Sequence, residues 1–270
     1  MTLEKISRRF LERHPADAVR IIEQLDEDER SALIKTLEPV TAAAMLQAMT
    51  PADAAACLAL MAPARSVPVL GHMPTGFAAA CLRRLPGDER RAVLVEAGAG
   101  DELKQVRTLL SFPPDVVGAL MDPDSAAVQE QMSCNEAVEF ARRYPEKLRN
   151  VIYVVNGDNV LTGRLEARDL LILQTRSSIH SAMKPVQYSL NARAYLHNVR
   201  DNPGWEHFED LPVVDYHGTY LGSLNRETFL QALAQADVTA ISADQPKEIL
   251  IGLAETFLNT CSELLFPNKK

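Results

Sequence analysis

Glycine, aromatic residues and cysteine are all scarce in this 270-residue chain, which has 12 Gly, a 6% aromatic share with a single Trp, and 4 Cys. With so little glycine, and with neither a GxGxxG nor a P-loop, a glycine-rich phosphate cradle is excluded. Cys57, Cys81, Cys134 and Cys261 form no CxxC pair and no framework spacing, so a disulfide-stapled scaffold is excluded and the cysteines read as reduced thiols of a cytosolic protein. The 6 histidines are scattered without a spacing such as HxxxH, which argues against a zinc site. A basic excess is also lacking. Against 36 Asp and Glu there are 28 Lys and Arg, a net charge of −8, and an acidic surface repels nucleic-acid backbones. The opening MTLEKISRRF has no apolar core of a signal peptide. A membrane span needs about 20 nearly uncharged residues, and the best candidate, Ile249–Phe266, carries Glu255, Asn259 and Glu263. The chain is therefore expected to be soluble and cytoplasmic. Without a nucleophile, base and acid set, it is also expected not to be an enzyme.

The hydrophobic share of 47% is that of a folded protein, enough for one large domain or two to three ordinary ones. From about Arg13 to Gly98 the chain repeats every 12 residues. One apolar series is Leu25, Leu37, Met49, Met61, Met73 and Leu85. A second is Ile34, Leu46, Leu58, Leu70, Leu82 and Leu94, preceded at each step by Leu33, Met45, Cys57, Val69, Cys81 and Val93. Near each unit's start stands Pro39, Pro51, Pro63, Pro74 or Pro86, where a first helical turn tolerates the missing N–H. Acidic runs at the same place suit the positive end of the helix dipole. Each unit reads as one helix of about two turns plus a turn. So short a helix buries its face only by stacking on its neighbours in a superhelix. The small residues at position seven, Ala32, Ala44, Ala56, Ala80 and Ala92, are expected to let the helices approach closely.

After Pro113-Pro114 the texture changes. The segments Ile152–Gly163 and Leu211–Gly222 are copies of one pattern: an apolar strand, an Asn-, Asp- or Gly-rich turn and a second strand. Amphipathic helices are expected next, over Arg168–Leu173 and Glu227–Leu233. A Met-x-Pro opens each copy, at Met121-Asp-Pro123 and Met183-Lys-Pro185. A helical stretch at Asn135–Arg143 precedes the first strand, and the alternation is that of α/β layering.

Three features together carry a family resemblance: His14-Pro-Ala-Asp17, the repeats, and the junction Val106–Met121 with its Phe112-Pro-Pro-Asp-Val-Val-Gly-Ala-Leu-Met121. The chain resembles the cytosolic part of MgtE-type magnesium transporters, without the membrane domain. The fold this implies is a multidomain α and α/β one: an all-α superhelix of short helices over residues 1–115, a first CBS domain over 116–180, a second over 181–236, and a C-terminal helix and tail over 237–270. The resemblance also implies a soluble regulatory module that senses magnesium or an adenine nucleotide (ATP or AMP) and acts on a partner. CBS pairs generally dimerise, so a homodimer through the CBS pair is expected. The alternative is a scaffold or interaction protein that keeps the fold without its ligands. Several acidic positions of the family's second CBS domain and connecting helix fall here on His207, Thr228, Gln231, Thr239 and Ala240, none of them a carboxylate. Since magnesium prefers carboxylate and water oxygens, sensing there is undercut. The remaining metal candidates are Asp53, Asp88, Asp101, Glu102, Asp124 and Glu227.

Asp169 occupies the aspartate position of the Gly-x-x-Ser/Thr-x-x-Asp pattern with which CBS domains hold a ribose. Here the hydroxyl position is Glu166, which would repel a phosphate. Asp169 therefore either binds a nucleotide or only caps its helix. Trp205 is either a partner anchor or the filling of a hydrophobic gap. Cys134 stands at a helix start, where a thiol's pKa can fall. The stretch Gln245–Phe266 should form an amphipathic helix, with Leu250, Leu253, Ala254, Phe257, Cys261, Leu264 and Leu265 on one face. That face packs on the chain's own dimer or is offered to a protein partner.

Overall fold

Proline sets where the helices begin. In the computed structural model, which describes residues 27–144, 150–169 and 178–243, α1 (Glu27–Thr36) is followed by α2 (Pro39–Gln47), α3 (Pro51–Ala59) and α4 (Pro63–Gly71), each of these three opened by its proline. In α5 (Thr75–Arg84) and α6 (Gly87–Glu96), Pro74 and Pro86 stand one residue earlier, as N-caps. A 3₁₀ turn (Asp101–Leu103) and α7 (Lys104–Leu110) complete the series. Each helix packs on the one two places along. The chain α1, α3, α5, α7 forms one layer, and α2, α4, α6 with the 3₁₀ turn forms the other. This is the stacked superhelix that the 12-residue period predicts.

Among the described residues the first apolar series is buried at Leu37, Met49, Met61, Met73 and Leu85, and the second at Ile34, Leu46, Leu58, Leu70 and Leu82, with Leu94 half-buried. The position-seven alanines are not where the helices touch. Ala44, Ala56 and Ala80 are half-buried, and Ala32 and Ala92 are exposed. The small buried residues stand one and two places earlier, at Ala42 and Ala43, Ala54 and Ala55, Ser66, and Ala78 and Ala79. At 3.6 residues per turn those positions share a face with the leucines three and four places on, which position seven does not. In α6 they become Arg90 and Arg91.

Arginines cap the helix ends from afar. Arg83 Nη2 donates to the carbonyls of Leu109 (2.6 Å) and Phe112 (3.2 Å), and Arg107 reaches the carbonyls of Leu94 and Gly98. These carbonyls stand at or just beyond the C-terminal ends of α7 and α6, where carbonyls lack a partner one turn on.

The α/β part contains two sheets of the same design. Strands β1 (Ala127–Gln129), β2 (Val151–Val155) and β3 (Leu161–Glu166) form the first, with α8 (Cys134–Arg143) between β1 and β2. After the short α9 (Ile179–Ala182), β4 (Leu190–Asn191), β5 (Asp210–Val214) and β6 (Tyr220–Asn225) form the second, with α10 (Gly204–His207) before β5. In each sheet the first pair is parallel and the second antiparallel. Val154 faces Gly163 and Val213 faces Gly222, and both registers slip at the following valine. Helix α8 starts on a capping box, Ser133 with Glu136. Strand β2 is buried on both faces. Ile152 and Val154 join Val128, Ala137 and Leu165 in one core, while Val151, Tyr153 and Val155 join Tyr220 of the second repeat in another. A fully apolar strand is what two covered faces require.

Trp205 is buried and its Nε1 donates to the Val199 carbonyl at 2.9 Å, so it fills a gap and is no surface anchor. Cys57, Cys81 and Cys134 are buried. Burial pushes the Cys134 thiol up, which reverses the effect expected of its helix start. A separate compact unit begins at Arg226 with α11 (Arg226–Ala243), which runs on past the expected domain limit at residue 236. The stretches 170–173 and 245–266, with the expected partner helix, and the His14–Asp17 motif lie outside the described residues. Among the described residues no helix is long and apolar enough to cross a membrane.

Candidate functional site

The two repeats exchange their opening segments. Lys184, from the Met-x-Pro that opens the second repeat, pairs backbone to backbone with Arg164 on β3 of the first. Asp122, from the Met-x-Pro that opens the first repeat, pairs with Ser223 on β6 of the second. Two glycines permit this. A Cβ on Gly163 would stand 2.6 Å from Met183 Sδ, and one on Gly222 would collide with the Asp122 carbonyl oxygen. The crossing creates two related clefts, and their side chains differ in charge.

The first cleft is ionic. Lys184 Nζ lies 3.1 Å from Glu166 Oε1 and 3.0 Å from Asp169 Oδ2. Arg168 reaches Glu166 Oε2 at 2.5 Å, and Arg164 Nη1 lies 3.7 Å from Glu166 Oε1. The hydrogen bond from Lys184 holds both carboxyls below the ordinary carboxylate range, and the same bonds raise the ammonium. Three cations against two carboxylates leave a net positive cluster. Glu166, expected to repel phosphate, is neutralised by its neighbours. Asp169, the nucleotide candidate of the sequence, is a member of this cluster through its pairing with Lys184. Lys184, Arg164 and Arg168 were not singled out as site residues, although Lys184 is the middle residue of the recognised Met-Lys-Pro. The second cleft offers Asp122, Ser223 and Asn225 at the related places, with no cation among them. Asn225 Nδ2 donates to Asp210 Oδ1 at 3.2 Å.

Beside the ionic cluster, Val151, Tyr153, Arg164, Val186, Tyr188 and Phe208 enclose a cavity of about 10 Å³, barely one water. The Phe208 ring lies 4.6 Å from the Arg164 guanidinium, and Tyr153 Oη donates to the Asp210 carbonyl at 2.9 Å.

The six candidate metal residues have separate occupations. Asp53 Oδ2 accepts from the Thr50 hydroxyl at 2.6 Å within the N-cap of α3. Asp88 stands exposed near Arg91 (3.9 Å), and Asp101 near Lys104 (3.9 Å). The Glu102 side chain lies over Gly71. Asp124 accepts from Thr75 Oγ1 at 3.1 Å and from Gln105 Nε2 at 2.5 Å, tying the first α/β repeat to α5 and α7. Glu227, in the separate unit, accepts from Gln231 at 3.2 Å. Among the described residues no three His, Cys, Asp or Glu side chains form a group fit to hold a metal ion.

Residues 13–115 match the family model of the MgtE intracellular N domain. A solved structure, the cytosolic domain of the Mg²⁺ channel MgtE in complex with ATP, superposes with a TM-score of 0.70 at 26% identity, over 83% of this chain and 92% of that one. This chain resembles the cytosolic region of MgtE-type magnesium transporters. The magnesium transporter MgtE of Thermus thermophilus is 30% identical over 137 residues, which is 50% of this chain but only 30% of that protein's length. The soluble part of another magnesium transporter shares the fold, with a TM-score of 0.61 at 17% identity over 84% of this chain. The superhelix is thus MgtE-like, and the paired sheets fall within the part of the chain that superposes on the MgtE cytosolic domain.

Proposed function

We propose that the chain is a cytoplasmic regulatory module of a magnesium-transport system, and that its first CBS cleft takes an adenine nucleotide. The observation that carries this is the net-positive cluster of Lys184, Arg168 and Arg164 around Asp169, in a fold that matches an ATP-bound MgtE cytosolic domain over both of its parts. Lys184 and Arg168 would hold phosphate oxygens and Asp169 the ribose hydroxyls. The second cleft, with Asp122 and no cation, suits a phosphate poorly. A ligand shifts such a module only by binding one conformation better than another. Here Lys184 opens one repeat and Asp169 closes the other, so a ligand bridging them bears on the relation between repeats. Such a module does no chemistry on its ligand. It works as a homodimer through the CBS pair, on a partner protein.

We divide the chain into the superhelix (1–115), the CBS repeats (116–180 and 181–236) and a C-terminal segment (237–270). The scaffold reading is favoured by one observation, the ion pairing of Lys184 with both Glu166 and Asp169 without any ligand. Melting curves decide. A native-state ligand at about 100 times its Kd stabilises by about 2.7 kcal/mol. ATP or AMP should raise the melting temperature of the full chain, and Lys184→Ala should remove that shift. Magnesium alone should give a smaller one, because its carboxylates are dispersed. No shift with any of the three leaves the scaffold.

A further inference from the structure

Each helix of the superhelix stacks on the one two places along, so its packing recurs every 24 residues. One such step is closed by an arginine. Arg65 of α4 donates to the carbonyl of Leu37, just past α1, and Pro68 stands one turn further along α4. At the next step Met61 replaces Leu37, Pro63 replaces Pro39 and Val93 replaces Val69, all of the same character. The closing residues change. Arg65 becomes Glu89 and Pro68 becomes Ala92. A carboxylate donates nothing to a carbonyl, and a methyl fills less space than a pyrrolidine ring. A groove of about 330 Å³ is left, with Leu58, Met61 and Val93 as its floor and Asp88, Glu89 and Ala92 at its rim. The Met61 carbonyl accepts no hydrogen bond among the described residues. Asp88 stands in solvent 3.9 Å from Arg91, and Glu89 is exposed. Val95, one turn past Ala92 on the same side of α6, is 72% exposed and extends the apolar surface outward.

We propose that this groove docks a basic amphipathic helix of a partner protein, whose arginine enters where the preceding step holds Arg65 and whose apolar residue one turn on replaces Pro68. The guanidinium donates to the Met61 carbonyl and pairs with Glu89 and Asp88, while the apolar residue covers Ala92 and Val95. Arginine and an apolar side chain three positions apart lie on one face of a helix, so a single helix supplies both. The acidic rim selects the sign of the partner. It repels phosphates, so neither an anionic membrane surface nor a nucleic acid fits, and a net charge of −8 favours encounter with a cationic segment. The inference rests on the partner-binding half of the reading above and needs no nucleotide in the cleft between the repeats.

The experiment is fluorescence anisotropy of the full chain with a labelled helical peptide of Arg, Leu and Ala, in which arginine and leucine stand three residues apart. The natural protein should bind it, and a peptide with serine for leucine should bind more weakly. Glu89→Arg should weaken binding by about tenfold, because it refills the groove from within. Arg65 holds the same third helical position in α4, so this variant should keep the natural circular dichroism spectrum. Glu89→Gln, which removes the charge with little change of shape, should give a smaller loss and tests the groove even where Glu89→Arg fails to fold. Glu139→Lys, an equal change of charge on the exposed side of α8, should leave binding unaltered. Absence of binding by the natural protein overturns the proposal. So does an equal loss in Glu139→Lys, or equal binding of the serine peptide, since either marks a general attraction to an acidic surface. The shift of melting temperature with ATP or AMP is read separately, so the groove and the nucleotide cleft can each fail alone.

Discussion

The crossing of the repeats makes a sharp mutational prediction from two glycines that look interchangeable in sequence. Gly163 and Gly222 hold the same register position in the two hairpins. An alanine methyl at 163 meets the Met183 side chain, with Sδ at 2.6 Å, Cγ at 3.0 Å and Cβ at 3.1 Å, and the closest of these, the thioether end, can swing away while Cβ gives by a few tenths of an ångström. At 222 it meets backbone: the carbonyl oxygen of Asp122, its carbonyl carbon at 3.0 Å and Pro123 Cα at 3.0 Å. Gly222 also has φ +153°, a conformation that side chains disfavour. Overpacking costs about 1–3 kcal/mol, and backbone strain of this kind about 1–3 more. Gly222→Ala should therefore destabilise by about 4 kcal/mol, with Gly163→Ala near the ~1 kcal/mol floor of overpacking. For a protein of this size each kcal/mol lowers Tm by about 2–4 °C. Urea unfolding, followed by far-ultraviolet circular dichroism and by Trp205 fluorescence, measures both variants. If Gly163→Ala proved as harmful as Gly222→Ala, the exchange of opening segments would be wrong.

Asp124→Ala removes the acceptor of Thr75 and Gln105 and should destabilise by about 1 kcal/mol, with faster amide exchange in α5 and α7, while Asp124→Asn keeps an acceptor and should lose less. Burial pushes the Cys81 thiol up to about 12, with Arg84 opposing, so it should resist thiol reagents at pH 8 in the folded protein. Its raised pKa contributes stability below the unfolded value of about 8.5, and this is lost as pH rises through about 12, so Cys81→Ala should flatten the alkaline slope of an unfolding series. Glu166 and Asp169 shift the other way. Held down by Lys184, they contribute stability above their unfolded values near ~4 and lose it as pH falls through their lower folded values. Lys184→Ala should therefore reduce the acid dependence of stability measured from pH 5 downward.

The 12-residue period specified the superhelix by itself, because proline in a first turn and a leucine–methionine stripe are local facts about short helices. It misplaced the close contact. The alanines of position seven are as small as those of positions five and six, and only helical phase against a neighbouring layer separates Ala43 from Ala44. The duplicated hairpins were equally legible, since strand, turn and Gly recur at one spacing and each copy binds its own hydrogen-bonding partners. Asp169 could be picked out from its distance to Gly163. What surrounds it could not. Lys184 stands 15 residues further on, and Phe208 meets Arg164 from 44 residues away in the other repeat. The local partners of the candidate carboxylates were hidden for the same reason. Their number is a property of the sequence, but that Asp53 joins a helix cap and Asp124 bridges to α5 and α7 depends on which elements stack. Local pattern determined the elements. The crossing of two Met-x-Pro segments, a long-range pairing that only the folded chain can make, decided which charges face which cleft.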